Sequence, residues 1–141
     1  MKETDVWTGC YSGNFDLISP ESYAHPAKLS PSLGYRIFEH LKELKLLNSQ
    51  SIILDCMAGI GTVPLIACTL GLRAISVELE PKFLELSKQN KARLETKLGK
   101  LLDWTIIQGD SRKLSELLKG KCVTVTSPPY GDSLNESKNT T

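Results

Sequence analysis

One pattern repeats along residues 51–126: a short apolar run, a turn, and a segment of helical spacing that ends at a glycine. The apolar runs are rich in β-branched residues, which favour strands. A glycine suits the left-handed conformation that closes many helices. Strands that alternate with helices over short links predict right-handed crossovers and a parallel sheet. The sequence therefore predicts an α/β, Rossmann-like fold.

The repeat predicts four strands, which are expected at 51–54, 74–77, 105–107 and 122–126. It also predicts three helices, which are expected at 62–70, 81–98 and 111–119. An earlier helix is expected from Pro31, because Ser30 is a favourable N-cap and proline is favoured at the first helical position. In such a sheet the strand order is 3-2-1-4, so the fourth strand lies beside the first.

The chain has 141 residues, which is the size of one domain. Residues 1–30 lack clear periodicity, and we interpret them as an irregular arm packed on the domain. Residues 31–132 contain the repeating elements and form the predicted core. Residues 133–141 are polar apart from Leu134 and are expected to form a tail.

Composition excludes some classes of function and leaves others open. The chain has 17 Lys and Arg against 16 Asp and Glu, a net charge of +1 that neither indicates nor excludes a polyanionic partner. No Cys-x-x-Cys pair is present and the two histidines have no metal-ligand spacing, so no metal site is expected. The start of the chain does not resemble a signal peptide and no apolar run could span a bilayer. We therefore expect a cytoplasmic protein with reduced thiols and no membrane partner.

A first group of candidate binding residues follows the predicted strands. Residues 55–62 connect the first strand to a helix, and Gly59 and Gly61 would let the backbone approach a ligand closely. Glu78 ends the second strand, where a carboxylate can accept hydrogen bonds from both hydroxyls of a ribose. Asp110 follows the third strand. A tight turn alone would explain the glycines, but three such features at the carboxyl ends of successive strands favour a nucleotide-like ligand.

The character of these residues favours S-adenosylmethionine over a dinucleotide. A dinucleotide fingerprint has a third glycine, and Pro64 stands at that position. Asp55 would repel a pyrophosphate, whereas it would attract a ligand with a cationic head. S-adenosylmethionine carries an ammonium and a sulfonium group and has no phosphate.

A second group of candidate residues, Ser127-Pro128-Pro129-Tyr130, directly follows the fourth strand. Prolines fix φ and hold their carbonyls in place. A serine hydroxyl and a rigid carbonyl could accept hydrogen bonds from an exocyclic amino group, and a tyrosine ring could stack on a base. A polyproline-like turn without function is the alternative for this motif taken alone. Its predicted place beside the glycine-containing turn favours the functional interpretation.

Four segments together resemble the amino-group DNA methyltransferases, which use S-adenosylmethionine to modify cytosine N4 or adenine N6. These are "DCMAGIGT", "SVELEP", "QGDSRKL" and "VTSPPYGD". A fifth, "AHPAKLSP" at 24–31, resembles the segment that packs over the methionine end of the cofactor in that family. The resemblance covers about residues 24–132 and implies a class I methyltransferase fold.

The resemblance also implies a role for individual residues. The implied cofactor-binding residues are Lys28 and Ser30 near the cofactor carboxylate, Asp55, Ala58, Gly59, Gly61 and Thr62 in the turn, Glu78 at the ribose, and Asp110 and Ser111 near the adenine. The implied catalytic residues, which would hold the target base, are Ser127, Pro128, Pro129 and Tyr130. In the family that the chain resembles, a serine at the first motif position favours cytosine N4 over adenine N6. Methyl transfer would be direct, since no Pro-Cys pair is present for carbon-5 methylation.

The chain departs from the family after the motif at Ser127. Family members continue with further strands and a target-recognition region, whereas this chain adds "GDSLNESKNTT". We therefore expect the C-terminal strands to be missing and the fourth strand to lie at an open edge, which a second copy or a partner chain could complete. DNA is the implied substrate. The alternatives are an RNA or small-molecule methyltransferase, and a non-catalytic S-adenosylmethionine-binding fragment completed by a partner.

Overall fold

Four parallel strands form one sheet in the order β3-β2-β1-β4, as predicted. In this computed structural model, residues 6–11, 16–24 and 29–128 are described. The strands are β1 (Ile52–Asp55), β2 (Arg73–Glu78), β3 (Trp104–Gln108) and β4 (Val123–Thr124). Asp55 pairs with Ser76 in β2, so the carboxyl ends of neighbouring strands meet at one edge of the sheet.

Helices connect the strands in alternation. They are α1 (Pro31–Glu43), α2 (Thr62–Thr69), α3 (Pro81–Leu98) and α4 (Leu114–Leu117), with short 3-10 turns at Pro20–Ala24 and Ser111–Lys113. Gly71 (φ 77°) and Gly99 (φ 67°) are left-handed after α2 and α3, as the predicted helix ends require. No helix in the described ranges is both long and apolar enough to cross a membrane.

The hydrophobic core lies between the sheet and α1, α2 and α3. Residues Thr62–Cys68 of α2 are all buried, and Ile53, Leu65 and Ala74 have no exposed surface. Pro64 lies in the first turn of α2, where a backbone N–H has no intrahelical partner in any case. The proline that replaces the third fingerprint glycine is therefore compatible with the helix.

Two predicted elements are shorter than expected. The predicted helix at 111–119 is a 3-10 turn followed by the single α turn Leu114–Leu117, and none of its residues is buried. A helix this short is not stable without packing, so the chain returns to an extended conformation at Leu118. β4 covers Val123–Thr124 instead of 122–126, although the N–H of Val125 still donates to Leu54 O at 3.0 Å.

The predicted serine cap of α1 is only partly correct. Ser30 occupies the N-cap position with extended backbone angles, but its side chain makes no capping hydrogen bond. Its hydroxyl donates instead to Cys10 O at 2.7 Å. Ser30 therefore connects α1 to the N-terminal region, where the Trp7 ring lies 4.5 Å from the Arg36 guanidinium.

Candidate active site

Residues 56–61, which we call the glycine turn, connect β1 to α2 at the carboxyl edge of the sheet. Gly59 (φ 55°) and Gly61 (φ 90°) both adopt the left-handed conformation that favours glycine. The N–H of Ala58 donates to Val77 O at 3.1 Å, and that of Gly61 to Ala58 O at 2.9 Å. The turn is therefore folded against β2 and has a defined shape.

Gly61 is required by packing behind the turn. A Cβ atom at this position would lie 2.5 Å from Cη2 of Trp104 and 3.2 Å from Oγ of Ser87. The Trp104 ring is buried and its Nε1 donates to Ser76 Oγ at 2.8 Å, so the ring cannot easily move away. Packing against Trp104 therefore requires a glycine at position 61, and the implied role of Gly61 in shaping the cofactor loop stays a prediction.

Glu78, at the end of β2, is held by two backbone amides. Its Oε2 accepts a 2.6 Å hydrogen bond from Gly59 N, and its Oε1 accepts a 3.0 Å bond from Glu80 N. Each carboxylate oxygen can accept a further hydrogen bond, since it has two lone pairs. The predicted ribose acceptor is therefore oriented beside the glycine turn.

Asp110, after β3, is paired with a nearby arginine. Its carboxylate accepts from the backbone N–H of Arg112 at 2.9 Å and from Arg112 Nη2 at 2.6 Å. These hydrogen bonds lower the pKa of Asp110 to about 2. The next residue, Ser111, donates its hydroxyl to Cys56 O. The loop after β3 is thus hydrogen-bonded to the glycine turn. The exposed guanidinium of Arg112 would compete with a ligand for Asp110, the predicted adenine acceptor.

Asp55 is almost fully buried at the end of β1, with 3% of its surface exposed. Its Oδ1 accepts from Met57 N at 3.2 Å and from Thr126 Oγ1 at 2.8 Å. Burial raises the pKa of Asp55 to about 6, against the opposing effect of these hydrogen bonds. The structure therefore places Asp55 beneath the turn, as a link between β1 and the segment after β4.

The segment after β4, residues 126–128, lies at the same edge as the glycine turn. β4 pairs with β1 through Ile53↔Val123 and Leu54↔Thr124, which brings Thr126 to the Asp55 carboxyl. Ser127 is half-buried and Pro128 is exposed. Ser127 and Pro128, the described part of the second candidate group, thus directly follow a residue that contacts the first group at Asp55.

The predicted site residues fall into four sets. Asp55, Gly59, Glu78 and Ser111 take part in hydrogen bonds that connect the ends of β1, β2, β3 and β4. Ala58 and Thr62 are buried, so their side chains serve packing. Lys28, Pro129 and Tyr130 lie outside the described residues. The other predicted residues are described but are in neither of the first two sets: Ser30 donates to Cys10 O, Gly61 packs on Trp104, Asp110 pairs with Arg112, and Ser127 and Pro128 follow Thr126.

Sequence reasoning missed four residues that the site uses, which are Ser87, Asn90, Arg112 and Thr126. A signal for two of them was present. The buried face of α3 consists of Leu84, Ser87, Asn90 and Leu94. Polar residues at buried positions of a helix need partners inside the protein, and here those partners are glycine-turn carbonyls.

A cleft of about 470 Å³ lies at the opposite edge of the sheet. Tyr35, Phe38, Leu47 and Leu72 line it, and the last two precede β1 and β2. Ligands of open parallel sheets bind at the carboxyl ends of the strands, so this cleft does not belong to the candidate site.

Comparison with solved structures identifies the fold. An RNA methyltransferase candidate from Pyrococcus horikoshii, PH1948, superposes with a TM-score of 0.58 and 16% identity. The alignment covers 82% of this chain and 54% of that one. TrmN from Thermus thermophilus gives a TM-score of 0.60 and 21% identity over 84% of this chain and 33% of that one.

The fold is that of the Rossmann-like methyltransferases. The chain spans about half of the Pyrococcus protein and a third of the Thermus protein. No protein-family model matches the sequence, and no curated protein matches it. In the methyltransferase fold of this chain, the glycine turn, Glu78 and the segment after β4 share the carboxyl edge, and they form the candidate active site.

Proposed function

We propose that this chain binds S-adenosylmethionine and transfers its methyl group to an exocyclic amino group of a nucleobase. The observation that carries the proposal is the hydrogen bond between Thr126 and Asp55, because it brings the Ser127-Pro128 segment beside the glycine turn. A methyl donor bound at the turn and an amine bound at Ser127 would then be neighbours. The methyltransferase fold supports the same function.

The residues at this edge suit S-adenosylmethionine. The Glu78 carboxylate is held where it can accept hydrogen bonds from hydroxyl groups. The Asp110 carboxylate can accept a hydrogen bond from an amino group such as that of adenine. Asp55 and Glu78 make the edge acidic, which disfavours a pyrophosphate and favours a ligand with ammonium and sulfonium groups. When bound, S-adenosylmethionine would supply an activated methyl group.

Ser127 and Pro128 would act on the amino group that accepts the methyl. The lone pair of an exocyclic amine is delocalised into the base. Hydrogen bonds from the amine to the Ser127 hydroxyl and the Pro128 carbonyl would favour a pyramidal nitrogen with a more available lone pair. As the N–CH₃ bond forms, the S–CH₃ bond of the sulfonium would break and leave S-adenosylhomocysteine, and the nitrogen would release one proton to water. Positioning of the two reactants would supply most of the rate enhancement.

Two nucleic acids remain candidate substrates. The Ser127-Pro128-Pro129-Tyr130 motif favours DNA, with cytosine N4 preferred over adenine N6. The superposition with an RNA methyltransferase candidate favours an RNA base. In either case the target base would have to leave its stack before it could reach Ser127.

Methyl transfer from radiolabelled S-adenosylmethionine tests the proposal. The purified chain is incubated with unmethylated DNA and with RNA in parallel, and the products are digested to nucleosides and separated. We expect label in N4-methylcytosine or N6-methyladenine. The double variant Ser127→Ala, Pro128→Ala should lose most of this label, and Ser115→Ala, on the exposed side of α4, should retain it. Equal labelling by both variants would contradict the assigned role of the motif.

A further inference from the structure

The side chain of Asn90 connects α3 to the glycine turn and to the N-terminal segment 16–24. It has no exposed surface. Its Nδ2 donates to Ile60 O and to Ser22 Oγ, both at 2.9 Å, and its Oδ1 accepts from Ser19 N at 2.8 Å. Both amide hydrogens and the amide oxygen therefore have partners, as a buried polar group requires.

A second polar side chain of α3 holds the adjacent carbonyl of the glycine turn. Ser87, which is also fully buried, donates its hydroxyl to Gly59 O at 2.8 Å. In a trans peptide unit the C=O and the following N–H point in opposite directions. A Gly59 carbonyl directed at α3 thus turns the N–H of Ile60 away from α3. Ser87 and Asn90 together set the orientation of the peptide groups in the turn.

The same helix holds the N-terminal segment 16–24. Asp16 forms ion pairs with Arg93 and with Lys97, the latter at 3.1 Å. Leu17 and Ile18 are buried. Ser19 and Ser22 lie 3.1 Å apart through their hydroxyls and both contact Asn90. The segment and the glycine turn therefore meet at opposite sides of one buried amide.

We propose that Asn90 is a positioning residue of the cofactor site, through which segment 16–24 stabilises the ligand-binding conformation of the glycine turn. This inference rests on the proposed binding of S-adenosylmethionine at the turn. An apolar residue at position 90 could fill the same space, but it could not hold Ile60 O and the segment at once. The connection predicts that a change in the segment alters the turn, although the two are far apart in sequence.

Hydrogen exchange and calorimetry on the full chain test this coupling. The variants are Asn90→Leu, Ser22→Ala and Ser87→Ala, and the matched control is Gln89→Ala, which is exposed on the same helix. Without ligand, we expect the amides of Ala58, Gly59 and Gly61 to exchange faster in all three variants than in the control. We expect the Kd for S-adenosylhomocysteine to rise about tenfold in Asn90→Leu, measured well below its Tm.

The outcomes separate this inference from the proposed function. If Ser22→Ala and Asn90→Leu fold and leave both exchange and Kd unchanged, the coupling is wrong. A lower Tm with unchanged turn exchange would show a purely structural role and would also overturn it. If the wild-type chain binds no S-adenosylhomocysteine, the proposed cofactor fails, and exchange in the Ser22→Ala variant still decides the coupling. If Asn90→Leu does not fold, turn exchange in Ser22→Ala decides it, because Ser22 contacts Asn90 and Ser87→Ala reports only the direct hold on the turn.

Discussion

The Thr126 hydroxyl donates a 2.8 Å hydrogen bond to the buried carboxyl of Asp55. Asp55 also accepts from the N–H of Met57, so one carboxyl oxygen holds both the start of the glycine turn and the segment that precedes Ser127. This contact follows from the pairing of β4 with β1. The pairing of β4 with β1 therefore fixes the position of the segment that precedes Ser127 relative to the glycine turn.

Removal of the Thr126 hydroxyl should reduce methyl transfer more than cofactor binding. Thr126→Val keeps the side-chain shape but leaves the Asp55 oxygen without this donor. Since small displacements of reacting groups can cost up to about 100-fold in rate, we expect methyl transfer to fall roughly tenfold or more with a small change in the Kd for S-adenosylmethionine. Thr126→Ser, which retains the hydroxyl, should restore most of the rate. An equal loss in both variants would contradict the role of the hydrogen bond.

The buried Asp55 should make stability depend on pH. Its pKa is raised from 3.8 to about 6, so between these two pH values the folded state keeps a proton that the unfolded state has released. The associated stability is fully present below about pH 4 and is lost as the pH rises through 6. The free energy of unfolding of Asp55→Asn, relative to that of wild type, should therefore increase between pH 4 and pH 7 by on the order of 2–3 kcal/mol.

Urea denaturation at several pH values measures this difference, and Asp16→Asn gives a control of opposite sign. Hydrogen bonds from Arg93 and Lys97 lower the pKa of Asp16, so its stabilisation is present at neutral pH and lost on acidification. Asp16→Asn should therefore lose stability relative to wild type as the pH rises. A pH-independent difference for Asp55→Asn would contradict the effect of burial.

Replacement of Gly61 should be more destabilising than replacement of another left-handed glycine. Gly61→Ala places a Cβ 2.5 Å from the Trp104 ring at a φ of 90°. Gly71→Ala has a φ of 77° and no atom within 4 Å, so it isolates the conformational cost, about 1–2 kcal/mol. We expect Gly61→Ala to cost a further 1–3 kcal/mol, roughly the range for overpacking, in urea denaturation. Equal costs would show that the Trp104 ring adapts.

Removal of the Arg112 guanidinium should strengthen cofactor binding. Arg112 donates hydrogen bonds from Nε and Nη2 to the Asp110 carboxylate, and the arginine side chain is 88% exposed. A ligand that uses Asp110 must displace this exposed ion pair, which costs little. We expect the Kd for S-adenosylmethionine to fall about threefold in Arg112→Gln, with a smaller change in Lys113→Gln, whose charge also acts on Asp110. Weaker binding by Arg112→Gln would mean that the arginine orients Asp110 for the ligand.

The sequence predicted the sheet because strand order and crossovers follow from alternating elements that short links connect. It also predicted the adjacency of the glycine turn and Ser127, since strand 4 lies beside strand 1 in that order. The roles that it assigned to individual residues there stay predictions. Gly61 resembles a ligand-binding glycine, but only the packing of Trp104, 43 positions later, shows its structural role. Asn90 and Thr126 act through contacts with partners that are distant in sequence.

The central claim is that the carboxyl edge of the sheet binds S-adenosylmethionine through Glu78. Calorimetric titration of the wild-type chain with S-adenosylmethionine, and separately with NAD⁺, tests it most directly. We predict one-site binding of S-adenosylmethionine, no binding of NAD⁺, and at least tenfold weaker binding by Glu78→Gln, with Glu85→Gln on the exposed face of α3 unchanged. Absence of S-adenosylmethionine binding by the wild type, or an equal Kd for Glu78→Gln, would contradict the claim.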